Sequence, residues 1–216
     1  VLYNVVYSFA LYFKTCKFLF ICRNICNTHY FIQKECKKLG LYSYKIVELE
    51  SPTLGQAHTT TLGLQKADIS PQENILIFNI DTFRPHFKLP NTLDFANIDG
   101  YLEVFESGGE EWSFVLPQNP LENKVIKTTE KQRISSLCSS GLYYFAKAGD
   151  FIRIFQIMIN NNQTTKGEYY IAPMYNYLIK EGKDIRYFQI SPQEIIFCGT
   201  PKEYESLKAK YENSLF

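Results

Sequence analysis

Between Lys17 and Asp81, apolar β-forming runs alternate with helix-like segments, and this alternation narrows the possible folds more than any other feature. Lys17-Phe-Leu-Phe-Ile-Cys22 reads as a fully buried strand, because a short continuous apolar run suits a strand covered on both faces. A helix over Tyr30 to Leu39 follows and stops at Gly40, and a second strand runs from Tyr44 to Leu49. The breaker-rich turn Ser51 to His58 leads into a helix about Thr59 to Lys66, and the strand Asn74-Ile-Leu-Ile-Phe-Asn-Ile-Asp81 closes the set. This rhythm favours α/β architecture, a mainly parallel sheet with right-handed crossovers and flanking helices.

The second half changes character. Tyr101 to Glu106 reads as a strand, and Trp112 to Leu116 with Lys124 to Lys131 reads as an antiparallel hairpin turning through Glu122 to Lys124. A strand at Gly141 to Phe145 precedes helices near Asp150 to Asn160 and Glu168 to Lys180, the latter stopped by Gly182. The last helix has a written start: Thr200 as N-cap, Pro201 at the first helical position, and Glu203 completing a capping box. The expected sheet is therefore mixed.

With 216 residues, 45% hydrophobic and 16% aromatic, the chain can bury a substantial core, and residues 1–216 are expected to form a single domain. Lys and Arg number 23 against 22 for Asp and Glu, so a net charge of +1 gives no global field toward nucleic acid or an anionic membrane. Neither is expected as a partner. The six cysteines follow no secreted disulfide pattern, which favours a reducing cytoplasm. Cys22, Cys26, His29 and Cys36 lie close together, yet lack the paired two-residue spacings of a zinc knuckle. They are read as small apolar residues at a strand end and in or beside the following helix.

Val1 to Phe13 is strongly apolar, but Lys14 and Lys17 interrupt it before the ~20 residues a spanning helix needs. With no basic segment ahead of it, it does not resemble a signal peptide, and the chain is expected to begin inside a domain. Val5, Phe9, Leu11 and Phe13 read as the buried side of a helix.

Chemistry concentrates on Asp81. A carboxylate at the carboxyl end of a strand in an open α/β sheet stands where ligands bind, and it can hold Mg²⁺ against a phosphate. Asp also opens ordinary turns.

Four segments in order, Leu54-Gly-Gln-Ala57, Phe78-Asn-Ile-Asp81, Glu130-Lys131 with Gly141-Leu-Tyr143, and Cys198-Gly-Thr-Pro201, resemble the nucleotidyltransferases that activate sugar 1-phosphates and related phosphorylated alcohols. Glucose-1-phosphate thymidylyltransferases and phosphocholine cytidylyltransferases belong to that family. The resemblance implies a Rossmann-like sheet of the nucleotide-diphospho-sugar transferase type. It implies an enzyme that couples a nucleoside triphosphate to a phosphorylated small-molecule acceptor and releases pyrophosphate, with surface polysaccharide assembly as the setting. Asp81 then corresponds to the metal-binding aspartate and Mg²⁺ is the cofactor. Gln56, flanked by Gly55 and Ala57, corresponds to the base-reading position, where an amide offers both donor and acceptor. Glu130 and Lys131 correspond to the pair that receives acceptor hydroxyls and neutralises acceptor phosphate, and Gly141 to a close approach of substrate to backbone. Adjacent side chains on a strand point to opposite faces, so Glu130 and Lys131 can share one site only if the strand ends or twists there.

Departures from the family pattern accompany these matches. The first strand and Gly-rich basic loop of the family have no counterpart, and a chain without several such backbone donors, each worth about 3 to 4 kcal/mol, is expected to be nearly inactive. Phe197 stands two residues before Gly199, where many relatives carry a second metal-binding aspartate, and Glu168 becomes the candidate replacement. A metal-dependent glycosyltransferase remains an alternative, although it usually shows an Asp-x-Asp pair and Asn79-Ile-Asp81 supplies one carboxylate. A non-catalytic sugar-phosphate-binding remnant is the other. The motifs leave base, acceptor and a homo-oligomeric state open.

Overall fold

In a computed structural model of the chain, which describes residues 1–119 and 121–213, the apolar runs form a mixed α/β structure with helices against its sheets. Strands β1 (Phe18–Cys22) and β2 (Tyr44–Glu48) pair in parallel, and α2 (Thr28–Leu39) is the crossover between them. Period-two alternation sorts β1: Phe18, Phe20 and Cys22 go toward Ile32 and Cys36 of α2, whereas Leu19 and Ile21 join Val47, Leu49 and Ala67. α3 (Gln56–Lys66) lies on that second face and contributes Leu62. The expectation of a fully buried β1 is corrected, since every residue of it is half-buried. Among the described residues β1 has a partner along one edge only.

The N-terminal segment is also shorter than expected. α1 (Leu2–Tyr7) gives way to a 3₁₀ turn at Ala10–Tyr12. Val5 and Phe9 are buried as read, but the tighter turn rotates Leu11 outward to 63% exposure. Cys26 is exposed rather than packed, while Cys36 is buried.

The larger sheet runs β7 (Val125–Glu130), β6 (Ser113–Pro117), β8 (Leu137–Phe145), β5 (Gly100–Glu106), β9 (Ile185–Gln189). β3 (Ile75–Ile77) pairs with the end of β8, on the edge that β6 occupies at its start. The mixed architecture agrees with expectation, and β6 with β7 makes the expected antiparallel pair. Among the described residues parallel pairing is nevertheless confined to β1–β2 and β5–β9, and β8 is antiparallel to each of its neighbours. β8 starts four residues before Gly141 and is buried throughout, with Tyr143 and Phe145 packed under α4 (Ala148–Asn160) and α5 (Tyr175–Lys180). α4 presents Phe151, Ile154, Phe155 and Met158 at helical spacing.

The helix expected over Glu168 to Lys180 begins only at Ala172, with a 3₁₀ turn before α5. Pro173 sets that start, and the backbone of Tyr169 is engaged elsewhere. The strand expected to end at Asp81 leaves its ladder after Ile77. Asp81 sits in the turn before β4 (Thr82–Phe83), which pairs antiparallel with β10 (Ile196–Phe197). α6 (Pro201–Asn213) follows, its capping box formed by Thr200 and Glu203 through bonds of 2.9 and 3.2 Å.

Candidate active site

The loop before α3 is fixed by a glycine. Gly55 has φ +106°, and a Cβ there would lie 2.6 and 2.8 Å from the carbonyl oxygen and nitrogen of Tyr169. The two segments are stitched together, with Tyr169 N–H donating to Leu54 O at 2.7 Å and Ala57 N–H to Tyr169 O at 3.1 Å. This draws the start of α3 back to Gln56, three residues earlier than the spacing predicts. The Ala57 side chain is fully buried in the main core, so only its backbone faces the loop side.

Gln56 donates from its amide to Asn79 Oδ1 at 2.6 Å. Asn79 in turn lies against Gly141, where a Cβ would come within 2.5 Å of the Asn79 amide nitrogen. Gly141 (φ +86°) belongs to an irregularity in which Ser140, Gly141 and Leu142 stand opposite Glu103 alone, between the pairs Leu102–Tyr143 and Val104–Ser139. The glycine therefore makes room for Asn79 inside a continuous strand.

Two residues beyond Asn79, Asp81 is exposed. Its carbonyl accepts the Cys198 N–H at 2.8 Å, and Thr82 Oγ1 lies 3.3 Å from its Oδ1. Gly199 faces the carboxylate, and a Cβ there would fall 2.9 Å from Asp81 Oδ2. Phe197 points away from cation chemistry altogether, with its ring 5.3 and 5.0 Å from those of Phe105 and Trp112.

The second group forms around the end of β7. β7 stops at Glu130, and Lys131 adopts left-handed backbone (φ +53°) while its N–H bonds to Trp112 O at 2.9 Å. That reversal meets the condition for adjacent residues to serve one site. Glu130 is buried and accepts from the Ser113 hydroxyl, which lies 3.3 Å from Tyr143 Oη. The Lys131 ammonium donates to Tyr170 Oη and stands 4.4 Å from that ring's centre, and Tyr170 Oη donates to Glu168 at 2.6 Å. Burial raises the Glu130 carboxyl above its ordinary range, against the lowering effects of Ser113 and Lys131. The hydrogen bond to Tyr170 holds Lys131 above its ordinary value, so its charge is secure at neutral pH. Burial pushes the Tyr143 hydroxyl up to about 12.

The structure thus gathers Gln56 with Gly141 through Asn79, and Lys131 with Glu168 through Tyr170, while Glu130, next to Lys131 in the chain, is held by Ser113. Gly55 links the groups, because a Cβ on it would meet the Glu168 Cβ at 3.2 Å. No hydrogen bond among the described residues joins Asp81 to Glu168. Asn79, Ser113 and Tyr170 escape sequence reasoning, since each is recruited by a contact between distant segments. A cavity of about 310 Å³ is walled by Glu168, Tyr170, Thr165, Asn176 and Lys180 beside the second group.

Among the described residues no cluster of three or more His, Cys, Asp or Glu could cage a metal ion. The exposed Asp81 carboxylate, faced by Gly199, fits a hard cation that keeps one protein carboxylate and takes its remaining ligands from water and phosphate, as Mg²⁺ does.

No family model and no curated protein matches the chain. Solved structures do. A nucleoside-diphosphate-sugar pyrophosphorylase from Vibrio cholerae RC9 is 44% identical with a TM-score of 0.89, over 95% of this chain and 85% of that one. A Bacillus anthracis protein described as a glucose-1-phosphate thymidylyltransferase shares the fold at 18% identity and a TM-score of 0.71, over 96% and 80% of the two chains. So does a UDP-glucose pyrophosphorylase, at 15% identity and 0.65, over 96% and 85%. With order, spacing and fold in agreement over nearly its whole length, this chain belongs to the sugar-phosphate nucleotidyltransferase family.

Proposed function

We propose that the protein joins a nucleoside triphosphate to a sugar 1-phosphate or similar phosphorylated small molecule and releases pyrophosphate. The observation that carries the reading is the 2.6 Å bond from Gln56 to Asn79, because it links the proposed base-reading position to the segment that runs from β3 into the turn carrying Asp81. The name of the Vibrio cholerae relative supports the same chemistry.

In this reading Gln56 offers its amide to the base, and the Gly55 and Ala57 backbone lets the nucleotide approach α3. Asp81 is the carboxylate for Mg²⁺, with Glu168 the candidate for a further ligand or for substrate contact. The bound cation would polarise the α-phosphate and offset charge on the departing pyrophosphate. Lys131 neutralises the acceptor phosphate, Glu130 receives an acceptor hydroxyl, and the backbone at Gly141 lets the acceptor close in. The acceptor phosphate is already ionised, so its oxygen attacks in line without a general base, and orientation with charge neutralisation lowers the barrier.

The reading extends to one domain over residues 1–216, a cytoplasmic bacterial setting and a role in surface polysaccharide assembly. No helix among the described residues is long and apolar enough to cross a membrane. The test is pyrophosphate release, by the chain supplied with the family's first strand and Gly-rich loop, from each common nucleoside triphosphate against a panel of sugar 1-phosphates and amino-alcohol phosphates. Release dependent on both substrates and on Mg²⁺ supports the proposal. Its absence under every pairing would leave a binding remnant.

A further inference from the structure

Arg84 follows β4, three residues after Asp81, and is 4% exposed. Its Nε donates to Glu103 Oε1 at 2.9 Å, and its Nη1 donates to the Glu194 carbonyl at 3.0 Å, with Nη2 3.6 Å from the Glu194 carboxylate. The Arg84 N–H donates to Ser8 Oγ at 3.0 Å. Glu103, 1% exposed on β5, also accepts from Ser140 Oγ at 3.0 Å.

Stability alone is a poor reason for this arrangement. Burying two ions costs much of what their attraction returns, and an apolar pair of similar volume commonly does as well. Location supplies another reason. Glu194 lies two residues before β10, β10 pairs with β4, and the residue after β10, Cys198, donates to the Asp81 carbonyl at 2.8 Å. Ser140 adjoins Gly141, against which Asn79 lies. The planar fork of a guanidinium thus holds, at fixed spacing, the elements on every side of Asp81.

We propose that Arg84 is a positioning residue, clamping β4 and the segment before β10 to β5 so that the Asp81 carboxylate is held facing Gly199. The inference rests on the proposed role of Asp81 as the metal carboxylate. Arg84 itself is walled off from solvent, so it acts through these contacts and not on a substrate directly.

The experiment is solution NMR of the whole chain with Mn²⁺ alone as probe, since paramagnetic broadening reports even weak binding. In the native protein, Mn²⁺ should selectively broaden the Thr82 and Gly199 amides, and Asp81→Asn should abolish this. Arg84→Met combined with Glu103→Leu leaves no unpaired buried charge. In that variant the Mn²⁺ needed for equal broadening should rise on the order of tenfold, as is usual when support for a metal ligand is lost. Amide exchange at Cys198 should quicken, while Lys131 and Tyr170 resonances stay in place. Arg84→Lys keeps the charge without the fork and should fall between the two.

Native broadening together with native Cys198 protection in the double variant would overturn the inference. Should that variant fail to fold, Arg84→Lys decides in the same way, and wild-type behaviour there overturns it. A native protein whose broadening is indifferent to Asp81→Asn would instead remove the metal role of Asp81. Cys198 exchange would still show whether Arg84 holds the turn.

Discussion

A methyl group at Gly55 would meet the Tyr169 carbonyl oxygen at 2.6 Å on a backbone of φ +106°, so both space and conformation demand glycine. Gly55→Ala should cost about 2 kcal/mol, read from urea unfolding, and a cost below experimental error would show that the loop can move away. Tyr170 carries a different kind of constraint. Its hydroxyl joins Lys131 to Glu168, so Tyr170→Phe frees the ammonium and should raise the acceptor KM about tenfold with kcat changed little. An unchanged KM would detach Tyr170 from the site. Glu130 and Lys131 were legible as a dipeptide motif. Tyr170 was not, because it reaches Lys131 across 39 residues of chain and no local pattern records that meeting.

Elements obeyed local chemistry where local chemistry acts alone. α6 starts at its capping box because Thr200 and Glu203 satisfy each other's backbone N–H groups without help from the rest of the molecule. Thr200→Ala should weaken that helix start by about 1 kcal/mol, seen as faster amide exchange in its first turn, and unaltered exchange would refute the cap. The stretch from Glu168 shows the opposite case. It has a helix-like sequence, yet Tyr169 gives its N–H and carbonyl to Leu54 and Ala57, and the helix waits for Pro173. β9 escaped the sequence reading because Ile185–Gln189 is short and carries Arg186 and Gln189 among its apolar residues, and its parallel place beside β5 is a tertiary fact. The rhythm of strands and helices was readable, whereas the antiparallel share of the sheet depends on which distant strands meet.

For the molecule as a whole, burial raises both Glu103 and Glu130 in the folded state. The folded protein then binds more protons than the unfolded chain from the ordinary carboxylate pKa, about 4.3, upward to the raised values. Stability contributed by these groups is therefore full below that window and falls as pH rises through it. Glu130→Gln should flatten part of the fall in urea midpoints measured across the window, and parallel curves for variant and wild type would contradict the linkage. The same molecule gathers its candidate site from segments spread between Gly55 and Gly199, which is why sequence motifs marked its members and left their joining unseen.

In the proposed function one carboxylate, Asp81 in the turn between β3 and β4, serves nucleotidyl transfer. The direct measurement is the rate of pyrophosphate release by Asp81→Asn and its parent, both supplied with the family's first strand and Gly-rich loop, with thermal unfolding of both. The Asp81→Asn rate should fall on the order of a thousandfold with an unchanged melting temperature. A correctly folded variant that keeps a rate within a few-fold of its parent would contradict it.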